Sequence, residues 1–232
     1  MAKTSLAKKI IILVMILALP GFLYYLLTAK GKNRYKPLPF YGPKVVAKTG
    51  HKFHGNYIPD TIYHKLEDFT LTDQNGQPVS FKNYDKKIFV ASFFYTHCPS
   101  VCSTVNNNLT ALADVYRKNK MVNFLSITVD PTRDTPPVLK QYATRLEANS
   151  KWLFATGDTT TIYTLARKGF LVDALQAGKD DFIYSDKLVL IDAEKHIRGY
   201  YSGTSMADLT RLNDEIKVLI AEELRKVDKA LY

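Results

Sequence analysis

The 232-residue chain is 46% hydrophobic and carries a formal charge of +10, enough apolar material for one good core once an N-terminal segment is set aside. It has no zinc-finger spacing, aromatic RNA-binding signature or basic heptad helix, which argues against a nucleic-acid partner. Lys3, Lys8, Lys9, Lys30, Lys32, Arg34 and Lys36 gather beside an apolar run, where they suit an anionic membrane surface better than a nucleic-acid groove.

Residues 10–27, IIILVMILALPGFLYYLL, are uncharged over a length that just spans a bilayer core. The run is long for the apolar part of a signal peptide and no A-x-A cleavage pattern follows, which predicts an uncleaved transmembrane anchor. Lysines at both ends leave orientation undecided by charge. The chain's two cysteines, Cys98 and Cys102, lie four apart. Such a local pair belongs in an oxidising or metal-handling compartment. Residues 1–9 are therefore expected in the cytoplasm and the globular domain in the periplasm or an equivalent extracytoplasmic space. Residues 28–60, rich in Lys, Pro, Gly and His, read as a tether, with His51 and His54 as exposed loop side chains.

The globular domain is expected over residues 61–232. DFTLTDQNGQPVSFKNY alternates apolar and polar residues around Asn75-Gly76, which predicts a β-hairpin. Residues 87–95, KIFVASFFY, form a continuous apolar run of strand length, as for a central strand buried on both faces. After the cysteines, Val105, Leu109, Leu112 and Val115 fall at helical spacing. A second buried strand follows over 122–130. PTRDTPP then leads into a helix in which Thr135 or Asp134 can cap and two prolines suit the first turn. Strand WLFATG, helix TTTIYTLARKGF, strands KLVLID and HIRGYYSG, and a helix from about Met206 complete the order. The terminal helix has an apolar stripe at Leu209, Leu212, Ile216, Leu219, Ile220 and Leu224, which fits a helix covering the core. This is an α/β chain with a parallel βαβ centre and an antiparallel pair near its end, the thioredoxin-like layout with an added N-terminal hairpin.

A strand that ends in a loop whose first cysteine opens a helix sets that thiol at the positive end of the helix dipole and lowers its pKa. Pro99 suits the first turn, which does not need its missing N–H. Spacing of four puts Cys102 one turn beyond Cys98 on the same face, so the sulfurs can close a disulfide, act as a redox pair or converge on one soft ion. His97 adjoins Cys98, either raising the local positive charge or serving as an imidazole ligand. His196, between Lys195 and Arg198, is expected at the surface, and His64 has no identifiable partner. Asp130, Arg133 and Asp134 can line the site rim; for Thr135 and the prolines, turn and capping roles suffice. The chain has no proline after Pro137 to serve as the cis-proline of an ordinary disulfide reductase, and no proline in the strand ahead of Thr96 as a peroxidase would want.

FFYTHCPSVCSTV, followed about thirty residues later by SITVDPTRDTPPVLKQYA, resembles the Sco/SenC family, and the likeness runs from roughly Tyr63 to the terminal helix. That resemblance implies a thioredoxin-like domain on one membrane helix. It also implies a CxxxC pair, Cys98 and Cys102, that binds copper for the binuclear copper centre of cytochrome c oxidase. The implied partners are the oxidase's copper-bearing subunit or its assembly factors; the implied alternative is thiol-disulfide exchange on the oxidase's cysteines. The family's distal histidine ligand precedes the strand that reads here as KLVLID. This chain has Phe182-Ile183-Tyr184-Ser185, so Tyr184 stands at the usual ligand position. A phenol with a pKa of about 10 is a poor ligand for Cu(I), so the two thiolates are expected to hold Cu(I) while Cu(II) binding suffers.

Overall fold

The computed structural model describes residues 6–29, 37–98, 101–176, 178 and 182–230, which fall into two compact units, Met1–Lys36 and Pro37–Tyr232. The first contains helix α1 (Leu6–Ala29), whose stretch Ala7–Leu27 is long and apolar enough to cross a membrane. It begins before residue 10, taking Lys8 and Lys9 into its first turns.

In the second unit, part of the segment expected as tether is instead an antiparallel ribbon, β1 (Lys44–Phe53) and β2 (Asn56–Tyr63). His54 and Gly55 both have positive φ, 49° and 83°, as a two-residue hairpin turn requires. A His-Gly turn lacks the Asn-Gly signature, and β2 is exposed along seven of its eight residues, so neither turn chemistry nor periodic burial announced it. Gly50 is required here, since a Cβ would meet the Ile58 carbonyl oxygen at 2.5 Å.

Strands β3 (Leu71–Asp73) and β4 (Pro78–Val79) form the expected hairpin. Gly76 has φ of +77°, and Asp73 Oδ1 accepts from the N–H groups of Asn75 and Gln77 at 2.7 and 2.8 Å. There follow β5 (Ile88–Phe94), α2 (Val101–Val115), β6 (Val122–Thr128), α3 (Pro136–Arg145), β7 (Trp152–Thr156) and α4 (Thr159–Thr164), which runs into a π turn at Leu165–Gly169. A short pair absent from the sequence reading, β8 (Ala174–Gln176) and β9 (Phe182–Tyr184), precedes β10 (Lys187–Ile191), β11 (Ile197–Ser202) and α5 (Met206–Ala230).

The seven-stranded sheet runs β11-β10-β5-β6-β7-β3-β4, with β5, β6 and β7 parallel and the outer pairings antiparallel. All seven residues of β5 are buried, as its unbroken apolar run predicts. Ile88, Val90 and Phe94 pack with Leu109 of α2, Leu139 of α3 and Leu212, Ile216 and Leu219 of α5. Phe89, Ala91 and Phe93 pack on the other face with Ile162, Leu165 and Phe170. Period-two alternation thus feeds two cores from one strand.

The surface reading of His196 does not hold: its side chain is 17% exposed, and the basic residues that flank it are buried. Arg198 is only 1% exposed and donates to Asp192, to Glu222 and to the carbonyls of Leu38 and Pro39. Lys195 is also buried, which lowers its pKa, and it donates to the Tyr84 carbonyl. Their partners come from distant segments, which reading adjacent charges cannot reveal. His64, too, has a partner: its Nε2 lies 2.7 Å from the Gly169 carbonyl.

Candidate metal and redox site

Strand β5 carries the chain to Tyr95-Thr96-His97-Cys98, and α2 starts three residues later. Cys98 is half-buried and Cys102, the second residue of the helix, is 3% exposed. The two form a disulfide with Cα atoms 5.8 Å apart. Pro99 lies outside the described residues.

Across the site, antiparallel pairing of Ala174 with Tyr184 sets the tyrosine against the sulfurs. Its hydroxyl lies 3.0 Å from Cys98 Sγ and 2.8 Å from Cys102 Sγ. Disulfide sulfurs carry no proton, so the phenol is the donor. Burial pushes the Tyr184 pKa up to about 12, with Tyr95, Asp186 and Tyr142 adding to the shift. Tyr184 therefore faces the cysteines as a neutral hydrogen-bond donor.

Two layers of contacts hold this arrangement. Tyr95 meets Tyr184 edge-on at 5.6 Å and Phe182 at 5.0 Å, and the Arg133 guanidinium lies 5.8 Å from the Phe182 ring centre. Arg133 is in turn paired with buried Asp130. Asp134, fully buried, accepts from the Thr96 N–H at 3.0 Å and from the hydroxyls of Thr96 and Thr128. The DPTRDTPP tract thus braces the cysteine loop and the tyrosine hairpin. Thr135 is the N-cap of α3 but makes no side-chain cap bond, and the two prolines occupy the first turn as expected. Asp134 was expected at the site rim, but its hold on Thr96 was not legible because the two residues lie 38 positions apart.

His97 is exposed and its Nδ1 lies 3.1 Å from the Thr96 hydroxyl. Among the described residues, the His, Cys, Asp and Glu side chains that converge closely enough to hold an ion are Asp192, Glu194 and His196. His97 therefore does not complete a three-ligand set with the two sulfurs. The Asp192 group is already engaged: Asp192 accepts from Arg198 and from two backbone N–H groups, and Glu194 pairs with Lys226. A cleft of about 390 Å³ between residues 64–69 and α4 contains neither cysteine nor Tyr184 and offers no sulfur donor, so cavity volume does not locate the chemistry.

The sequence pattern of the SCO1/SenC family matches residues 60–221. The chain belongs to that family. It is 29% identical to a SCO2-like protein of Rickettsia felis over 208 residues, covering 87% of this chain and 93% of that one. A SCO1/SenC family lipoprotein from Bacillus anthracis has a crystal structure that superposes with a TM-score of 0.64 at 29% identity, covering 68% of this chain and 95% of that one. The copper-bound ScoI of Arabidopsis thaliana superposes with a TM-score of 0.57 at 26% identity, over 69% and 98% of the two chains. These likenesses establish the thioredoxin-like α/β fold of the SCO1/SenC domain.

Within that domain, the donor chemistry can be tested against copper directly. Once reduced, Cys98 and Cys102 supply two soft sulfurs, which suit Cu(I). The third group in contact is a phenol oxygen that burial keeps protonated, a poor donor to a soft cation. By donor chemistry, two sulfurs beside a protonated phenol suit Cu(I) better than Cu(II).

Proposed function

We propose that this chain is a membrane-anchored SCO1/SenC protein whose reduced Cys98 and Cys102 take up Cu(I) and support assembly of the copper centre of cytochrome c oxidase. Proteins of the family bind copper and take part in cytochrome c oxidase assembly. The observation that carries the reading is the meeting of both sulfurs at the junction of β5 and α2. The disulfide offers no thiolate; two electrons and two protons convert it to two thiols, and Cu(I) uptake then releases the protons. Copper loading is thereby gated by reduction. In this reading α1 is the anchor, residues 1–9 are cytoplasmic, and the domain works in the periplasm or an equivalent compartment on the oxidase's copper-bearing subunit or its assembly factors. Attachment to a membrane accords with the lipoprotein nature of the Bacillus anthracis relative.

The test is Cu(I) competition against a chromophoric chelator, using the reduced chain in detergent. One Cu(I) per chain is expected, with none for the disulfide form and a large loss for Cys102→Ser. A reduced chain that retains no Cu(I) against a modest competitor would overturn the proposal.

A second reading is favoured by one specific observation, the neutral phenol donating to a disulfide where an imidazole ligand would serve copper better. In it, the half-exposed Cys98 thiolate attacks a partner disulfide, and Cys102 resolves the mixed disulfide, leaving the partner reduced and this chain oxidised. Cys102→Ser would then trap a covalent partner through Cys98; recovery of no adduct would count against it.

A further inference from the structure

The β1–β2 ribbon has both sides open, although a two-stranded ribbon is at best marginally stable in water by itself. Val45, Val46, Tyr57 and Ile62 each leave between 57% and 69% of their surface exposed. The root of the ribbon is nonetheless secured. Tyr41 N–H donates to the Ile197 carbonyl at 2.9 Å, His64 N–H to the Pro43 carbonyl at 3.1 Å, and Phe40 stacks on Tyr63 at 4.2 Å. The ribbon is therefore held at its base and presented along its length.

Its two sides differ in chemistry. Pairing places Lys44 opposite Tyr63, Val46 opposite Thr61, Gly50 opposite Pro59 and Lys52 opposite Tyr57 on one side. That side has two lysines, an aliphatic group, an aromatic ring lying over Gly50, and no acid. The other side carries Val45, Ile58 and Ile62 with the His51–Asp60 pair. Charge along the whole chain follows the same division. Residues 28–60, on the domain's side of the proposed anchor, hold seven lysines and arginines against one acid, Asp60, whereas residues 61–232 hold 22 basic and 21 acidic residues. The excess charge on that side thus lies in and before the ribbon. Residues 28–43 separate it from the end of the apolar span, a reach of at most about 55 Å when extended.

We propose that the side of the ribbon bearing Lys44, Val46, Lys52 and Tyr57 lies on the anionic lipid surface of the bilayer that holds α1. The ammonium groups pair with lipid phosphates while Val46 and Tyr57 enter the interface, where an amphipathic aromatic ring is favoured. This second attachment restrains the domain beside the membrane. The inference rests on the proposed anchoring by α1, and its test separates the two.

The full chain is reconstituted into vesicles of phosphatidylglycerol and phosphatidylcholine at about 1:2, or of phosphatidylcholine alone, with brominated acyl chains as quenchers. Tyr57→Trp provides an indole on the ribbon, and Trp152, 1% exposed in the domain core, serves as the internal reference. Quenching of the ribbon indole is expected to exceed that of Trp152 by about twofold or more in anionic vesicles only, and to be lost when Lys44→Glu and Lys52→Glu are added. Absence of added quenching in anionic vesicles overturns the proposal. So does equal quenching in neutral vesicles, which would mean apolar insertion without recognition of charge. Shielding that follows protein density in the bilayer without lipid quenching points instead to a second copy of the chain and also overturns it. Carbonate extraction reports separately on α1. If carbonate releases the chain, the anchor reading fails, and co-sedimentation of the released chain with the same vesicles decides the ribbon: binding to anionic vesicles alone supports it, and no such binding overturns it.

Discussion

Two polar constellations lie at opposite extremes of charge in the same domain. Around Arg198, buried Asp192, half-buried Glu222 and two backbone carbonyls converge, so the guanidinium is fully engaged. Around the Cys98–Cys102 disulfide, the contacting group is the neutral hydroxyl of Tyr184, backed by the rings of Tyr95 and Phe182. The charged cluster binds the 37–40 segment and α5 to the β10–β11 hairpin; the neutral one sets a hydroxyl backed by two rings against the sulfurs. A dense group of titratable residues is thus no guide to chemistry here, because saturation by partners removes reactivity.

The largest expected effect tests the first half of this contrast. Arg198→Leu leaves Asp192 without its cation in a fully buried position and should destabilise the domain by about 3–5 kcal/mol in denaturant unfolding. Copper affinity of the fraction that remains folded should be unchanged. If stability falls by less than about 1 kcal/mol, the cluster is not the tie described.

Asp134→Ala joins stability to the site, because it strips the acceptor from the Thr96 N–H and from the hydroxyls of Thr96 and Thr128. A loss of about 1–3 kcal/mol is expected in thermal unfolding, together with weaker Cu(I) retention as the loop before Cys98 loosens. Asp134→Asn, which keeps an acceptor, should recover part of both.

Replacing Tyr184 by histidine converts the neutral wall into a third ligand. Copper affinity should rise, by about tenfold or more for Cu(II) and by less for Cu(I), whose needs the two thiolates already meet. A thiolate charge-transfer band should appear or strengthen with Cu(II). No change in either would contradict the placement of Tyr184 over the sulfurs.

Away from the site, burial raises Tyr116 and Tyr200 to about 12, with Asp214 adding to the first and Tyr41 to the second. Each folded-state value exceeds the unfolded one of about 10, so the native chain binds these protons more tightly. Their contribution is complete below pH about 10 and is lost as pH rises towards 12. Alkaline unfolding should therefore steepen across that window, and Tyr200→Phe should flatten it slightly. Tyr200 is only half-buried, which keeps its share of the effect modest, whereas Tyr116 is 5% exposed. The smallest change is expected for Tyr184→Phe, which should leave Cu(I) affinity within about threefold, since a protonated phenol is no ligand. Abolished binding would refute that view.

Most of the domain's elements were legible in sequence because their signals are local. The apolar run KIFVASFFY, Asn75-Gly76 and the stripe through Leu212, Ile216 and Leu219 each encode a period or a turn within a few residues, and each forms the element expected. The β1–β2 ribbon was not legible, since its side chains are exposed and its turn relies on His54 adopting positive φ. The β8–β9 pair escaped for a different reason: three-residue strands are too short to show alternation.

At the site, the sequence by itself determined the cysteine pair and the strand-to-helix junction that presents it. These depend on residue identity, spacing and resemblance of motif. Only the tertiary structure decided that the Tyr184 hydroxyl touches both sulfurs, that Asp134 supports the loop of Cys98, and that Arg198 and Lys195 are buried. The contacts made there with Tyr184, Thr96, Tyr84 and Leu38 join residues 38 to 160 positions apart. Periodicity is a property of one segment, whereas such partners are chosen when separately folded segments close on one another, so neither side of the contact carries the information alone.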